Sequence, residues 1–256
     1  MEVAFKSDVG QIRSHNEDNG GFIHNKEGFV LAVVADGMGG HQAGDVASQM
    51  TIEILSNKWR ETEALSTPTS IEAWLNEAVN DVNAQIFEHA KNNPQCQGMG
   101  TTLVAVVCTN QFITYAHIGD SRAYLMNGET FIQKTIDHSL VNELVRSGQI
   151  TELEAENHPR RNVLLRALGT EEKVKIDIET INWDEGSFIL LCSDGLSNKV
   201  TDEEMFQVIQ KEATSLDEKV TTLVTMANER GGEDNISIAL VYHNGSETND
   251  GDVDDR

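Results

Sequence analysis

FVLAVVADG, at residues 29–37, is seven apolar residues that run into an acid and a glycine. Short, rich in β-branched side chains and closed by a turn residue, it reads as a buried strand with the carboxylate of Asp36 held at its tip. Three further stretches follow the same pattern. FITYAHIGD (112–120) ends on Gly119 and Asp120, FILLCSDG (188–195) ends on Asp194 and Gly195, and DNISIALVY (234–242) opens on Asp234. Carboxylates fixed at neighbouring strand tips repel one another unless a cation sits among them. Oxygen donors select hard divalent ions, Mg²⁺ or Mn²⁺. The pattern points to an enzyme built around a metal cluster.

The 256 residues are ample for one large domain with a sizeable core, and 39% hydrophobic with 24% charged residues is ordinary for a globular chain. The net charge of −23 is not ordinary. Residues 247–256 hold five acids and one Arg, so this tail carries −4 and the rest of the chain −19. Such a chain is repelled by nucleic acid and anionic membranes. It has no basic patch for a phosphate, which must be met by metal and one or two chosen Arg residues. Cys96, Cys108 and Cys192 are odd in number and lack CxxC spacing, as in a reducing compartment. No apolar stretch approaches a membrane span of roughly 20 residues, and residues 1–10 lack a signal peptide's regions. A cytoplasmic monomer is expected.

Residues 1–35 read as strand, polar turn, strand. Val46, Ala47, Met50 and Ile54 fall at helical spacing, and Ile71, Trp74, Leu75, Ala78, Val79, Val82 and Ile86 form a longer stripe. Strands follow near 102–108, 112–118 and 122–126, with Asn127-Gly128 as a hairpin turn. Residues 138–165 show short helical patterns and little strand character, and read as an inserted flap. Thr201 to Glu204 form a capping box for a helix to about residue 212, a last helix carries Val220, Leu223, Val224 and Ala227, and 236–242 is a closing strand. Hairpin-connected strands and paired helices give an α+β chain. The expected architecture is a four-layer α-β-β-α sandwich of two antiparallel β-sheets flanked by helix pairs. The domain spans 1–243, and the segment 244–256, with Val253 as its one apolar side chain, is an acidic tail expected to be disordered. Within it Asp250, Asp252 and Asp254 have the spacing of a calcium loop's start, but the required Gly and distal Glu are missing.

The elements SHNEDN (14–19), ADGMGGH (35–41), GMGTT (98–102), IGDSR (118–122), DHS (137–139), RNVLLRALG (161–169), SDGL (193–196) and EDNIS (233–237) occur in series. In order and spacing they resemble the metal-dependent protein phosphatases of type 2C, the bacterial branch above all. The resemblance covers roughly residues 3–242. It implies that Asp36 bridges two metals, with the Gly37 carbonyl on one, while Asp194 and Asp234 complete the other's ligand set. Asp18 would act mainly through a metal-bound water, and Arg13 would clamp the substrate phosphate as a bidentate fork. Asp120 matches a ligand of a third, weaker metal, and Asn235 would position the loop carrying Asp234. Two such ions, roughly 3.5–4 Å apart, acidify a shared water and hold it in line with phosphorus.

Where animal relatives place a general-acid His, two residues after the bridging Asp, this chain has Met38; His41 is the alternative candidate. The implied activity is hydrolysis of phosphoserine and phosphothreonine on proteins, opposing a bacterial Ser/Thr kinase. Two other functions compete: a phosphatase fold that only binds phosphoproteins, and a metal-dependent hydrolase of small phosphate esters.

Overall fold

The computed structural model describes residues 1–39, 43–63 and 65–245. Strands β1 (Glu2–Asp8), β2 (Asp18–His24) and β3 (Val30–Met38) lead into helices α1 (Ala43–Arg60) and α2 (Pro68–Asn92). Then come β4 (Gly100–Thr101), β5 (Leu103–Cys108), β6 (Phe112–Ile118), β7 (Arg122–Asn127) and β8 (Thr130–Gln133). The short helices α3 (Leu140–Arg146) and α4 (Glu152–Glu156) precede β9 (Asp177–Asn182) and β10 (Phe188–Cys192). Helices α5 (Asp194–Ser197), α6 (Asp202–Ile209) and α7 (Leu216–Glu229) lead to β11 (Ile236–Tyr242).

The strands form two antiparallel sheets, ordered β1-β11-β10-β7-β8 and β2-β3-β5-β6-β9, with β4 paired to β3. Side-chain parity divides the apolar residues into three layers. From β3 and β5, Leu31, Val33, Leu103, Ala105 and Val107 pack under α1 and α2. Their alternates Val30, Ala32, Val34, Val104, Val106 and Cys108 meet Ala123, Leu191, Ala239 and Val241 between the sheets. Ile236, Ile238 and Leu240 of β11 pack under α6 and α7. With both faces covered, the central strands need unbroken apolar runs, which is why FVLAVVA shows no polar alternation. The expected α-β-β-α sandwich is the one observed.

Local chemistry fixes the helix ends. Capping boxes pair Thr67 with Ser70, Thr151 with Glu154, Thr201 with Glu204 and Ser215 with Glu218. Helix α6 stops at Ile209, before the expected 212, because the buried Lys219 ammonium takes the carbonyls of Ile209 and Lys211. Two elements escape the sequence pattern. β2 contains Gly20 and Gly21 and reads as a turn, yet it pairs with β3 along its full length. A side chain at Gly20 would meet the Val33 carbonyl of β3 at 2.6 Å and Phe5 of the opposite sheet at 2.7 Å, so packing requires glycine there. α5 is a single turn that begins on Asp194 itself.

Candidate metal centre

Asp18 and Asp36 are direct partners across β2 and β3, so their side chains leave the same sheet face about 4.5–5.5 Å apart at Cβ. Asp36 lies inside β3 rather than at its tip. Its backbone N–H donates to Thr102 Oγ1 (2.9 Å), and its carbonyl accepts from the Thr102 N–H (2.9 Å) and from Thr101 Oγ1 (2.9 Å). The other sheet brings Asp194, two residues past the end of β10, and Asp234 ahead of β11. Ser193 joins the sheets: its Oγ donates to Asp18 Oδ2 at 2.6 Å and accepts the Ser237 N–H at 2.9 Å. Asp120 stands in the turn after β6, beside Ser121, whose Oγ is 2.7 Å from Thr102 Oγ1. The five predicted carboxylates therefore converge at one end of the seam between the sheets.

Burial and crowding show in the proton affinities of Asp18, Asp36, Asp120 and Asp194. Burial, outweighing the hydroxyl bond from Ser193 and reinforced by Asp194 and Asp234, pushes Asp18 up to about 7. Asp120 rises to about 7 through burial and the nearby Asp194 and Asp137. Asp194 rises to about 6 through burial and Asp234, although Asn198 and Asp36 lie within hydrogen-bond reach of it. Asp36 is held well above the carboxylate range by burial and by Asp18, Asp194, Asp120 and Asp234. Asp18 Oδ1 and Asp194 Oδ1 are buried and have no hydrogen-bond partner among the described residues. Buried orphan carboxylate oxygens in an all-oxygen pocket fit a hard divalent cation and little else.

The supporting residues come from two loops. Arg13 Nη2 donates to Asp234 Oδ2 at 2.7 Å and its Nε to the Glu233 carbonyl at 3.3 Å, with the guanidinium half-exposed. Asn235 reaches well beyond its own turn: its Oδ1 accepts the Glu17 N–H (2.8 Å), and its Nδ2 donates to the carbonyls of Val9 (2.9 Å) and His15 (3.1 Å). It thereby pins the loop that carries Arg13 and Asp18. Gly37 packs so closely on Gly44 of α1 that a Cβ there would lie 2.1 Å from the Gly44 carbonyl oxygen. A Cβ on Gly44 would in turn stand 2.9 Å from the Gly37 carbonyl oxygen and 3.0 Å from the Glu17 carboxyl carbon. The Glu17 carboxylate is thus a neighbour of the Gly37 carbonyl that sequence reasoning passed over, although it lies within SHNEDN. His41 falls outside the described residues.

Outside the carboxylate cluster, His117, His138 and Asp177 offer ligand atoms within 4.8 Å of one another. Their hydrogen bonds oppose a metal. His138 Nδ1 accepts the Gly119 N–H at 3.2 Å, so its proton sits on Nε2, directed at Asp177 Oδ2 3.0 Å away. The Arg166 guanidinium lies 3.1 Å from that same Nε2.

The pattern of the protein phosphatase 2C family matches residues 11–235. The chain belongs to the protein phosphatase 2C family. It is 49% identical to the serine/threonine phosphatase stp of Listeria welshimeri over 244 residues, 95% of this chain and 96% of that one. The solved serine/threonine phosphatase of S. agalactiae has a TM-score of 0.89 at 40% identity, covering 94% of this chain and 98% of its own. The catalytic domain of the phosphatase PstP, solved in complex with 2 manganese ions, has a TM-score of 0.81 at 33% identity, covering 93% and 96%. As a family member the chain is a metal-dependent protein phosphatase. No helix among the described residues is long and apolar enough to cross a membrane.

Proposed function

We propose that this enzyme hydrolyses phosphoserine and phosphothreonine on proteins at a carboxylate centre that holds two Mg²⁺ or Mn²⁺ ions tightly and a third weakly. The observation that carries this is the convergence of five acids with two buried, unpartnered oxygens. Asp36 would be shared by the tight pair, with the Gly37 carbonyl on one ion and Asp194 and Asp234 on the other. Asp120, with Asp194, would hold the third. When bound, such ions acidify a water molecule and screen the phosphoryl oxygens.

The chain's own groups supply the rest. Asp18 has one oxygen fixed by Ser193 and the other buried without a partner, and would act through a water held by the ions. Arg13 leans on Asp234 and keeps guanidinium donors for the substrate phosphate. Met38 occupies the general-acid position of animal relatives and has no proton to give, which leaves His41 as the candidate for protonating the leaving alkoxide. The catalytic domain would be 1–243, with 138–165 as a flap over the site and 244–256 as a tail, of which 246–256 lie outside the described residues. Substrates would be phosphoproteins in the cytoplasm that a Ser/Thr kinase has modified, met by a monomeric enzyme.

Chelated protein restored with Mn²⁺ tests the proposal on a phosphothreonine peptide and a nucleotide side by side. Mn²⁺-dependent turnover of the peptide, with the nucleotide slower by about a hundredfold, is expected. Preference for the nucleotide would make the enzyme a small-ester hydrolase, and binding of the peptide without turnover would make it a recognition module.

A further inference from the structure

We infer that His138 is a positioning residue for Asp120, holding that carboxylate through Gly119 and tying it to the base of the 138–165 segment; this rests on Asp120 being a metal ligand. The peptide groups on both sides of Gly119 are bonded to His138. The Gly119 N–H donates to His138 Nδ1 (3.2 Å), and the His138 N–H donates to the Gly119 carbonyl (2.8 Å). That carbonyl belongs to the peptide linking Gly119 to Asp120, and His117 Nε2–H reinforces it at 3.0 Å. Gly119 has φ +104°, and a Cβ there would lie 2.7 Å from Thr102, so no other residue takes this turn without strain. The direction in which Asp120 leaves the chain is therefore set by His138 rather than by a side chain's own preference.

The opposite end of His138 faces the segment's base. Its carbonyl accepts the Leu165 N–H at 2.8 Å, Ser139 pairs with Leu164, and the Leu140 N–H donates to the Val163 carbonyl at 2.8 Å. Its Nε2–H donates to Asp177 Oδ2, whose other oxygen accepts Arg166 Nη1 at 3.3 Å. His138 and His117 are both buried, with ring centroids 4.3 Å apart, so the imidazole has no room to turn over and exchange its two nitrogens. One residue thus bonds both the turn that carries Asp120 and, at Leu165, the end of the 138–165 segment.

The two nitrogens of His138 have separable jobs, and two substitutions separate them. His138→Asn keeps an acceptor where Nδ1 stands and loses the reach to Asp177. His138→Gln keeps a donor near Nε2 and loses the acceptor for Gly119. Calorimetric titration of chelated protein with Mn²⁺, beside thermal midpoints, reads the outcome. His138→Gln is expected to weaken the weak class of sites at least tenfold, as Asp120→Ala should, with the tight class unchanged. His138→Asn should keep the weak class within threefold of wild type. If Asp120→Ala removes the weak class and His138→Gln does not, the positioning role is wrong. A loss of both classes in His138→Gln, or equal loss in the two His138 variants, would reduce His138 to general packing and also overturn it. If Asp120→Ala leaves the weak class intact, the ligand assignment of Asp120 fails, and this inference with it.

Discussion

Replacing Asp18 by Asn in chelated protein should change how stability responds to pH, chiefly because this carboxyl is buried. Asp18 is only 7% exposed, and its proton affinity rises from an ordinary 3.8 to about 7. At about 1.36 kcal/mol per pH unit, this shift is worth on the order of 4 kcal/mol. The sign follows from the folded state binding the proton more tightly than the unfolded chain. The contribution is complete below pH 4 and is lost as pH rises through about 7. Between pH 5.5 and 7.5 roughly 2 kcal/mol disappears, about 4–8 °C of thermal midpoint for a chain of this size. Burial lowers His117 to about 4 and also lowers His138, and these groups act in the opposite direction, gaining stability as pH rises. The quantity to measure is therefore wild type minus Asp18→Asn, in which the histidines cancel, while Asp36, which Asp18 holds up, changes in the same direction as Asp18 and adds to the wild-type loss. Circular-dichroism melts in a chelator at the two pH values should show wild type losing several degrees relative to Asp18→Asn as pH rises. A difference that stays flat, or grows in favour of wild type, would refute the argument that Asp18 is desolvated and crowded. With saturating Mn²⁺ the slope should reverse, since protons then compete with the cation.

Asp194→Ala should fold, take up less Mn²⁺ and fall below a tenth of wild-type turnover; a mutant above a tenth at saturating Mn²⁺ contradicts its place among the ligands. Arg13→Ala removes charge-assisted donors worth about 1.5–3 kcal/mol, so KM for a phosphopeptide should rise about tenfold or more while kcat moves less. An unchanged KM in steady-state assays would count against the phosphate clamp.

The sequence disclosed the carboxylates because each follows or opens an apolar run whose length and β-branching mark a core strand. Asp36, Asp120, Asp194 and Asp234 could be placed from that pattern alone. Asp18 could not: Gly20 of β2 is crowded by the Val33 carbonyl of β3 and by Phe5 of the other sheet, a requirement visible only once the strands are packed. Only the family resemblance marked it. Glu17 was hidden for a related reason, since its neighbours Gly37 and Gly44 come from distant elements and meet only where α1 rests on β3. Asn235 does bond the loop it is expected to position, through its N–H to Asp234 Oδ1 at 2.9 Å, but its three side-chain hydrogen bonds all go to residues more than 200 positions away, which no local pattern shows. Local pattern reveals which residues lie at strand ends; contacts between sheets and loops decide what they hold.

Those contacts also impose an order on binding. Asp18 and Asp36 belong to one sheet, Asp194 and Asp234 flank strands of the other, and Ser193 and Asn235 are among the hydrogen-bonded ties between the two sides. Five carboxylates ionised together at this seam would push the sheets apart, so cations shared between the sheets would turn the main repulsion into a bond, and their binding energy would become packing energy. On the proposed ligand set, two divalent ions return four of the five charges and leave the centre negative by one. Arg13 only neutralises what remains, and it already leans on Asp234. A phosphate monoester near neutral pH is close to a dianion. It would enter a centre with no net attraction until a third ion adds two more positive charges. The weak site at Asp120 would therefore govern substrate capture as much as chemistry, and Mn²⁺ dependence of KM should extend to concentrations well above those that saturate the tight pair.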